Sequence, residues 1–305
     1  MKTLEYIELT YKDVEALDRA KTVFFSSISP VETHGPHLPL GTDLFLAEHL
    51  RDRVLKKLEA KRPDITAVRL PTLPIGSEAI PVAGSFRVRY KALLYSLLDI
   101  GGALADLGFR YWLLTDNHGG PHHQIGIELA ARKLRRKNFF LIAPFHESFR
   151  RMVARDPDLL GKTGLPPDAC GAPDDAHGGT NETSLMRAAF PDKVRDVWKT
   201  LGPGKTSPMK GLAKVLAGFE NIFHSLGMKD VETDFYFLAH GLAWVSDPQM
   251  EPYQGNPSKS SEKAGEAMLE YRANLALELL EEALDGKPRE LKPLGWSIRF
   301  LRDVM

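Results

Sequence analysis

Apolar runs and amphipathic stretches alternate through the first half of the chain. TVFFSSIS (22–29) is rich in β-formers and reads as a buried strand. After it, Leu46, Leu50, Val54 and Leu58 recur every fourth residue, with Arg51, Asp52, Lys56, Lys57 and Glu59 between them. That spacing predicts an amphipathic helix, with Asp43 near its N-cap. ITAVRLPTLPIG (65–76) reads as a strand that ends in a Pro/Gly loop, and YKALLYSLLDIGGALADLGF (90–109) as a helix that stops near Gly108. YWLLTDNHGG (111–120) is a strand running into a loop, QIGIELAARKLRRK (124–137) a helix, and NFFLIAPF (138–145) a further strand.

Four strand–helix alternations point to a mostly parallel sheet covered on both faces. In such sheets, function gathers in the loops at the carboxyl ends of the strands. Two of those loops carry polar clusters, ETHGPHLPLGTD and TDNHGGPHH. Residues 150–181 are dense in Pro, Gly and Asp and are expected to be loop-like; a short helix, ETSLMRAAF, follows. The segment 200–210 is again rich in Gly, Pro and Lys. A long amphipathic helix is predicted from about Glu262 to Leu284, stopping at Asp285-Gly286. No stretch reads as an interdomain linker. One domain over 1–305 is expected, with a C-terminal helical elaboration from about 255.

Composition narrows the function classes. Forty basic residues balance forty acidic ones, so the charge gives no reason to propose a nucleic acid or an anionic membrane as partner. The lone cysteine, Cys170, excludes a disulfide within the chain and reads as an incidental thiol, which fits a reducing, cytoplasmic setting. Glu5 and Glu8 interrupt what would have to be the apolar core of a secretory signal, and FYFLAHGLAWVS (235–246) is too short to span a bilayer. No G-x-S-x-G elbow is present, which argues against a serine hydrolase.

The candidate chemistry lies in Glu32, His34, Asp43, His118 and Glu182. Two imidazoles and three carboxylates suit a borderline divalent ion such as zinc, manganese or iron. Three or four of these groups serve one ion. Five, with one bridging, suit two ions that share a water and lower its pKa. Taken singly, each residue has a plainer reading: Glu32 as a solvated loop carboxylate, Asp43 or Thr42 as a helix N-cap, His118 as a hydrogen-bonded loop histidine, Glu182 as a first-turn glutamate. His37, His122 and His123 are expected in supporting or surface roles.

Five motifs occur in order: SPVETHGPHLPLGTD, LPIGSEAIPVAGS, LLTDNHGG, DAHGGTNETS and GNPSKSSEKAG. Together they resemble the creatininase (creatinine amidohydrolase) family, from about residue 20 to 270. That family includes creatininases, a formamidopyrimidine deformylase and a peptidase of mycofactocin maturation, all of which hydrolyse amide-type C–N bonds. The resemblance implies a three-layer α/β/α sandwich with two divalent ions (zinc, manganese or iron) at the carboxyl end of the sheet. It implies Glu32 and His118 on one ion, His34 and Glu182 on the other, and Asp43 bridging. A hydroxide between the ions would attack the amide carbon and a carboxylate would move the proton, with Glu182 the catalytic candidate as well as a ligand; His177 would donate a proton to the leaving nitrogen or stabilise the oxyanion. It also implies a homo-oligomer, in this family often a hexamer, acting on a small molecule or short peptide.

The departures bear on substrate. Creatininases proper carry a glutamate two residues after the second histidine, where this chain has Gly120, so creatinine is disfavoured and the weight falls on Glu182. Asn117 and Pro121 replace a usual glycine and asparagine, and Thr180 stands where HAGE has its glutamate. These changes are expected to alter the pocket walls. Gly84-Ser85 falls where the family places a loop near the substrate. The alternative function is a non-catalytic relative that keeps a structural metal.

Overall fold

The computed structural model describes residues 1–164 and 175–301; Cys170 lies outside them. Five strands form one sheet: β1 (Lys2–Glu5), β2 (Thr22–Ser27), β3 (Thr66–Arg69), β4 (Tyr111–Thr115) and β5 (Phe140–Ile142). Their order is β1-β3-β2-β4-β5 and all four pairings are parallel. The four strands expected from the apolar runs are all present. The edge strand β1 carries no such signal: two of its four residues are exposed, and it is held by pairing to β3.

The helices between the strands are α1 (Tyr11–Ala16), α2 (Thr42–Lys61), α3 (Tyr90–Asp106) and α4 (Pro121–Arg135). After β5 come α5 (Phe145–Val153), α6 (Pro157–Thr163), α7 (Thr180–Ala189), α8 (Gly211–Ser225), α9 (Lys229–Val245) and α10 (Glu262–Leu284). Side chains that alternate along β2 divide the core. Val23 and Phe25 join a cluster with Leu46, Leu50 and Leu58 of α2, Leu185 of α7 and Leu269 of α10. Phe24 joins the opposite cluster, with Leu93 and Leu97 of α3 and Leu134 of α4. This is a three-layer α/β/α sandwich. The central strand β2 is buried on both faces, as a parallel sheet between two helical layers requires.

Two expectations are corrected. The stretch 150–181 is not simply loop: α5 runs into it and α6 lies within it. Asp156 caps α6 by accepting from the Asp158 and Leu159 amides, Pro157 occupies the first turn, and Gly164 ends the helix at φ 63°. The N-cap of α2 is Gly41 rather than Thr42 or Asp43; the Thr42 hydroxyl instead donates to the Pro39 carbonyl at 2.7 Å. FYFLAHGLAWVS, read above as too short to span a bilayer, belongs to α9, which pairs with α8 over Leu216, Phe235, Leu238 and Ala239. Among the described residues, no helix is long and apolar enough to cross a membrane.

Candidate metal centre

The site lies beyond the carboxyl ends of β2 and β4, where two helix N-termini meet. Asp43 stands in the first turn of α2 and Glu182 in the first turn of α7. The positive ends of the two helices favour both carboxylates. Glu32 and His34 come from the irregular segment after β2, and His118 lies three residues past β4. The five side chains predicted from the sequence converge here. Glu32, His34 and Asp43 are almost wholly buried, His118 nearly so, and Glu182 is the most open at 14 % side-chain exposure.

Hydrogen bonds fix both imidazoles. The His34 Nδ1–H donates to the Glu32 carbonyl at 3.0 Å, so Nε2 carries the lone pair whenever the ring is neutral. That nitrogen faces Asp43 Oδ1 at 3.3 Å and Glu182 Oε2 at 3.6 Å. The His118 Nε2–H donates to the Ser77 carbonyl at 2.8 Å, which leaves Nδ1 facing Glu32 Oε2 at 3.0 Å and Asp43 Oδ2 at 3.6 Å. The two oxygens of one aspartate thus look toward different histidines, each with a second carboxylate beside it.

Backbone amides anchor both glutamates. Ile80 N–H donates to Glu32 Oε1 at 2.6 Å and Gly178 N–H to Glu182 Oε2 at 2.6 Å. Gly178 has φ +59°, a backbone that L side chains rarely adopt, and a Cβ there would lie 3.1 Å from the His34 carbonyl. Glu32 Oε2, His34 Nε2 and Asp43 Oδ2 make no hydrogen bond although buried. Buried polar atoms without partners are costly; here the two oxygens face His118 Nδ1, and His34 Nε2 faces Asp43 Oδ1 and Glu182 Oε2.

Electrostatics agree with the geometry. Burial alone would depress His34, but Asp43 and Glu182 outweigh it and lift the imidazole to about 10. Burial is likewise outweighed at His118 by Glu32 and Asp43, so its pKa stands well above the usual value. Burial pushes Asp43 and Glu32 up, yet the histidine charges hold both below the ordinary carboxylate value. Burial lifts Glu182 to about 7. Three carboxylates therefore demand positive charge at the two nitrogens that face them, supplied by protons or by cations. Glu32–Asp43–His118 and His34–Asp43–Glu182 each bring three ligand atoms within 4.8 Å of one another, and Asp43 belongs to both. Oxygen and imidazole donors in this mix fit a divalent ion of borderline softness.

His177 stacks on His34 with ring centroids 4.1 Å apart, and its Nε2–H donates to the Thr33 carbonyl at 2.7 Å. Burial and the His34 charge hold it at about 4. Trp244 of α9 lies against it, with centroids 5.3 Å apart. His123, read above as a supporting or surface residue, is buried: its Nε2–H donates to Asp116 Oδ2 at 3.0 Å and its Nδ1 accepts from Ser77 N–H at 3.2 Å. His37 is buried too, 2.8 Å from the Thr183 hydroxyl, and His122 pairs with Glu78, so none of the three is a surface histidine. Ser85 accepts from Thr33 N–H at 3.1 Å and so anchors its loop to the motif.

Two polar residues behind the carboxylates escaped sequence reasoning. Asn117, read above only as an altered pocket wall, donates to both Asp43 and Glu182, and Arg272 of α10 donates to Asn117. A signal for Arg272 did exist: it is a charge in the midst of the apolar face Met268, Leu269, Ala273 and Ala276.

The family model for creatininase, creatinine amidohydrolase, matches residues 7–280. The chain belongs to the creatininase family. Among curated relatives, a creatinine amidohydrolase of Pseudomonas putida is 29 % identical over 200 residues, 61 % of this chain and 72 % of the relative. A mycofactocin precursor peptide peptidase of Mycolicibacterium smegmatis is 27 % identical over 190 residues, 61 % of this chain and 64 % of its own length. Both are hydrolases of C–N bonds. A solved structure named Creatininase Mn shares the creatininase fold, with a TM-score of 0.63 at 20 % identity over 93 % of this chain and 99 % of its own. A Zn-Zn type mutant creatininase matches with a TM-score of 0.60 at 20 % identity, over 93 % of this chain and 99 % of that one.

Proposed function

We propose that the chain is a dinuclear metal-dependent amidohydrolase that cleaves an amide-type C–N bond in a cyclic amide, a formamide or a short peptide. One observation carries the reading. The two oxygens of buried Asp43 face two histidine nitrogens whose ring N–H partners are committed to backbone carbonyls. Glu32, His118 and Asp43 would hold one ion, and His34, Glu182 and Asp43 the other. Divalent ions in those places supply Lewis acidity and a water of lowered pKa.

The chain's own residues account for the rest. Orphaned atoms buried at fixed positions give preorganised binding with no reorganisation at the moment of reaction. With its Nε2–H on Thr33 and its pKa near 4, His177 is neutral at neutral pH, and Nδ1 is the nitrogen left to move a proton. There it would take up the proton given up by the attacking water and deliver it to the departing nitrogen as the C–N bond breaks. Of the two roles expected of it from the sequence, proton donor and oxyanion stabiliser, this is the donor role. Glu182, the most open carboxylate, marks the side from which substrate enters.

Manganese and Zn–Zn forms are known among the structural relatives, so both metals belong in the test. Purified protein loaded with Mn²⁺ or Zn²⁺ is assayed against cyclic amides, formamides and short peptides. The expected result is release of amine from at least one class, abolished by chelation and restored by the ion. Fully loaded protein with no turnover across the panel would favour a non-catalytic member with structural ions.

A further inference from the structure

We infer that Asn117 and Arg272 form a positioning pair that sets the Asp43 and Glu182 carboxylates for the ion between them and His34. The inference rests on the dinuclear reading above. The Asn117 amide lies between two carboxylates: Nδ2 donates to Asp43 Oδ1 at 2.9 Å and to Glu182 Oε1 at 2.9 Å. Both amide hydrogens are thereby used. Its Oδ1 accepts from Arg272 Nη1 at 2.7 Å. Asn117 is 4 % exposed and Arg272 8 %.

Arg272 makes the arrangement one-way. A flipped amide would turn its oxygen onto two carboxylates and its NH₂ onto a guanidinium, with every contact repulsive. The arginine thus fixes which end of Asn117 meets the site. The intermediary amide has a chemical reason. A guanidinium placed directly on Asp43 would form the fork-like pair that engages both carboxylate oxygens, and would compete with a cation for them. The neutral amide takes one lone pair from each carboxylate and leaves Asp43 Oδ2 without a hydrogen bond. The positive charge stands one residue back, where it still favours ionised carboxylates. A buried guanidinium is costly unless partnered, and this one is placed on α10 over the Phe145 ring at 5.6 Å, so the long C-terminal helix is tied to the centre.

The test is Zn²⁺ binding to metal-free full-length protein by chelator competition, with zinc content by elemental analysis and a thermal melt of each metal-free variant as the folding check. Wild type should hold two ions. Asn117→Ala should weaken one of them by roughly 10- to 100-fold, the cost usual for groups that orient ligands, and leave the other within a few-fold. Arg272→Met should weaken the same ion, Arg272→Lys should restore part of the loss, and the double variant should be no worse than Asn117→Ala alone. Arg272→Met, which keeps the amide, carries the prediction if Asn117→Ala does not fold. Two ions in wild type with equal affinities in the variants, or additive losses in the double variant, would overturn this pair and leave the dinuclear reading standing. Wild type without zinc would overturn both.

Discussion

Asp43 illustrates how much one side chain can be asked to do. Its place in the first turn of α2 favours the negative charge, and its two oxygens serve two histidines. Glu182 is different: one oxygen faces His34 and both accept hydrogen bonds from behind. Glu182→Gln keeps the shape and removes the charge from one side only. Elemental analysis should find one equivalent of metal lost and turnover cut sharply, and unchanged metal content would remove Glu182 from the ligand set. At this scale the sequence was informative because Glu32, His34 and His118 sit in loops whose strands were legible from their apolar runs, and Asp43 opens a helix legible from its leucine spacing. Asn117 was not legible as a partner, since a polar residue beside a histidine gives no hint of which carboxylates fold back to it.

At the level of elements, the site depends on α7 and α10 crossing closely. A Cβ on Gly265 would fall 1.9 Å from the Ser184 carbonyl, which is backbone and cannot swing aside. Gly265→Ala should therefore push α10 from α7 and destabilise the fold by about 1–3 kcal/mol or more. Metal affinity should fall with it, because the two helices carry Arg272 and Glu182. A melting temperature and zinc affinity equal to wild type would refute that coupling. The long helix α10 was predicted from about Glu262 to Leu284, as it stands, because its pattern and its Asp-Gly stop agree. The helix α6 was missed although Asp156-Pro157 and Gly164 mark its ends, because a seven-residue helix offers too few positions for a periodic pattern. The strand β1 was missed for the opposite reason: only its pairing to β3 makes it a strand.

At the scale of the whole molecule, charge and protons set the conditions for stability. Burial, only partly offset by the Asp116 charge, holds His146 at about 4 in the fold. The unfolded histidine titrates near 6.5. Between those values the unfolded chain binds more protons, so stability is complete above about 6.5 and is lost as the pH falls toward 4. His37 and His177, also at about 4, act in the same direction. His34, raised to about 10 in the metal-free protein, acts the other way: its contribution is full below 6.5 and is lost as the pH rises through 10. Melting temperatures of metal-free protein should fall from pH 6.5 to 4.5, and His146→Gln should flatten that slope by up to one proton. An identical slope would show that His146 does not titrate in this window.

The central claim is that five side chains from distant parts of the chain hold two divalent ions with Asp43 between them. Counting ions per chain in wild type and in Asp43→Asn tests it most directly. Two equivalents in wild type, with both weakened together in the variant, is the predicted result. A wild-type protein that binds fewer than two ions, or an Asp43→Asn protein that keeps both at full affinity, would contradict it.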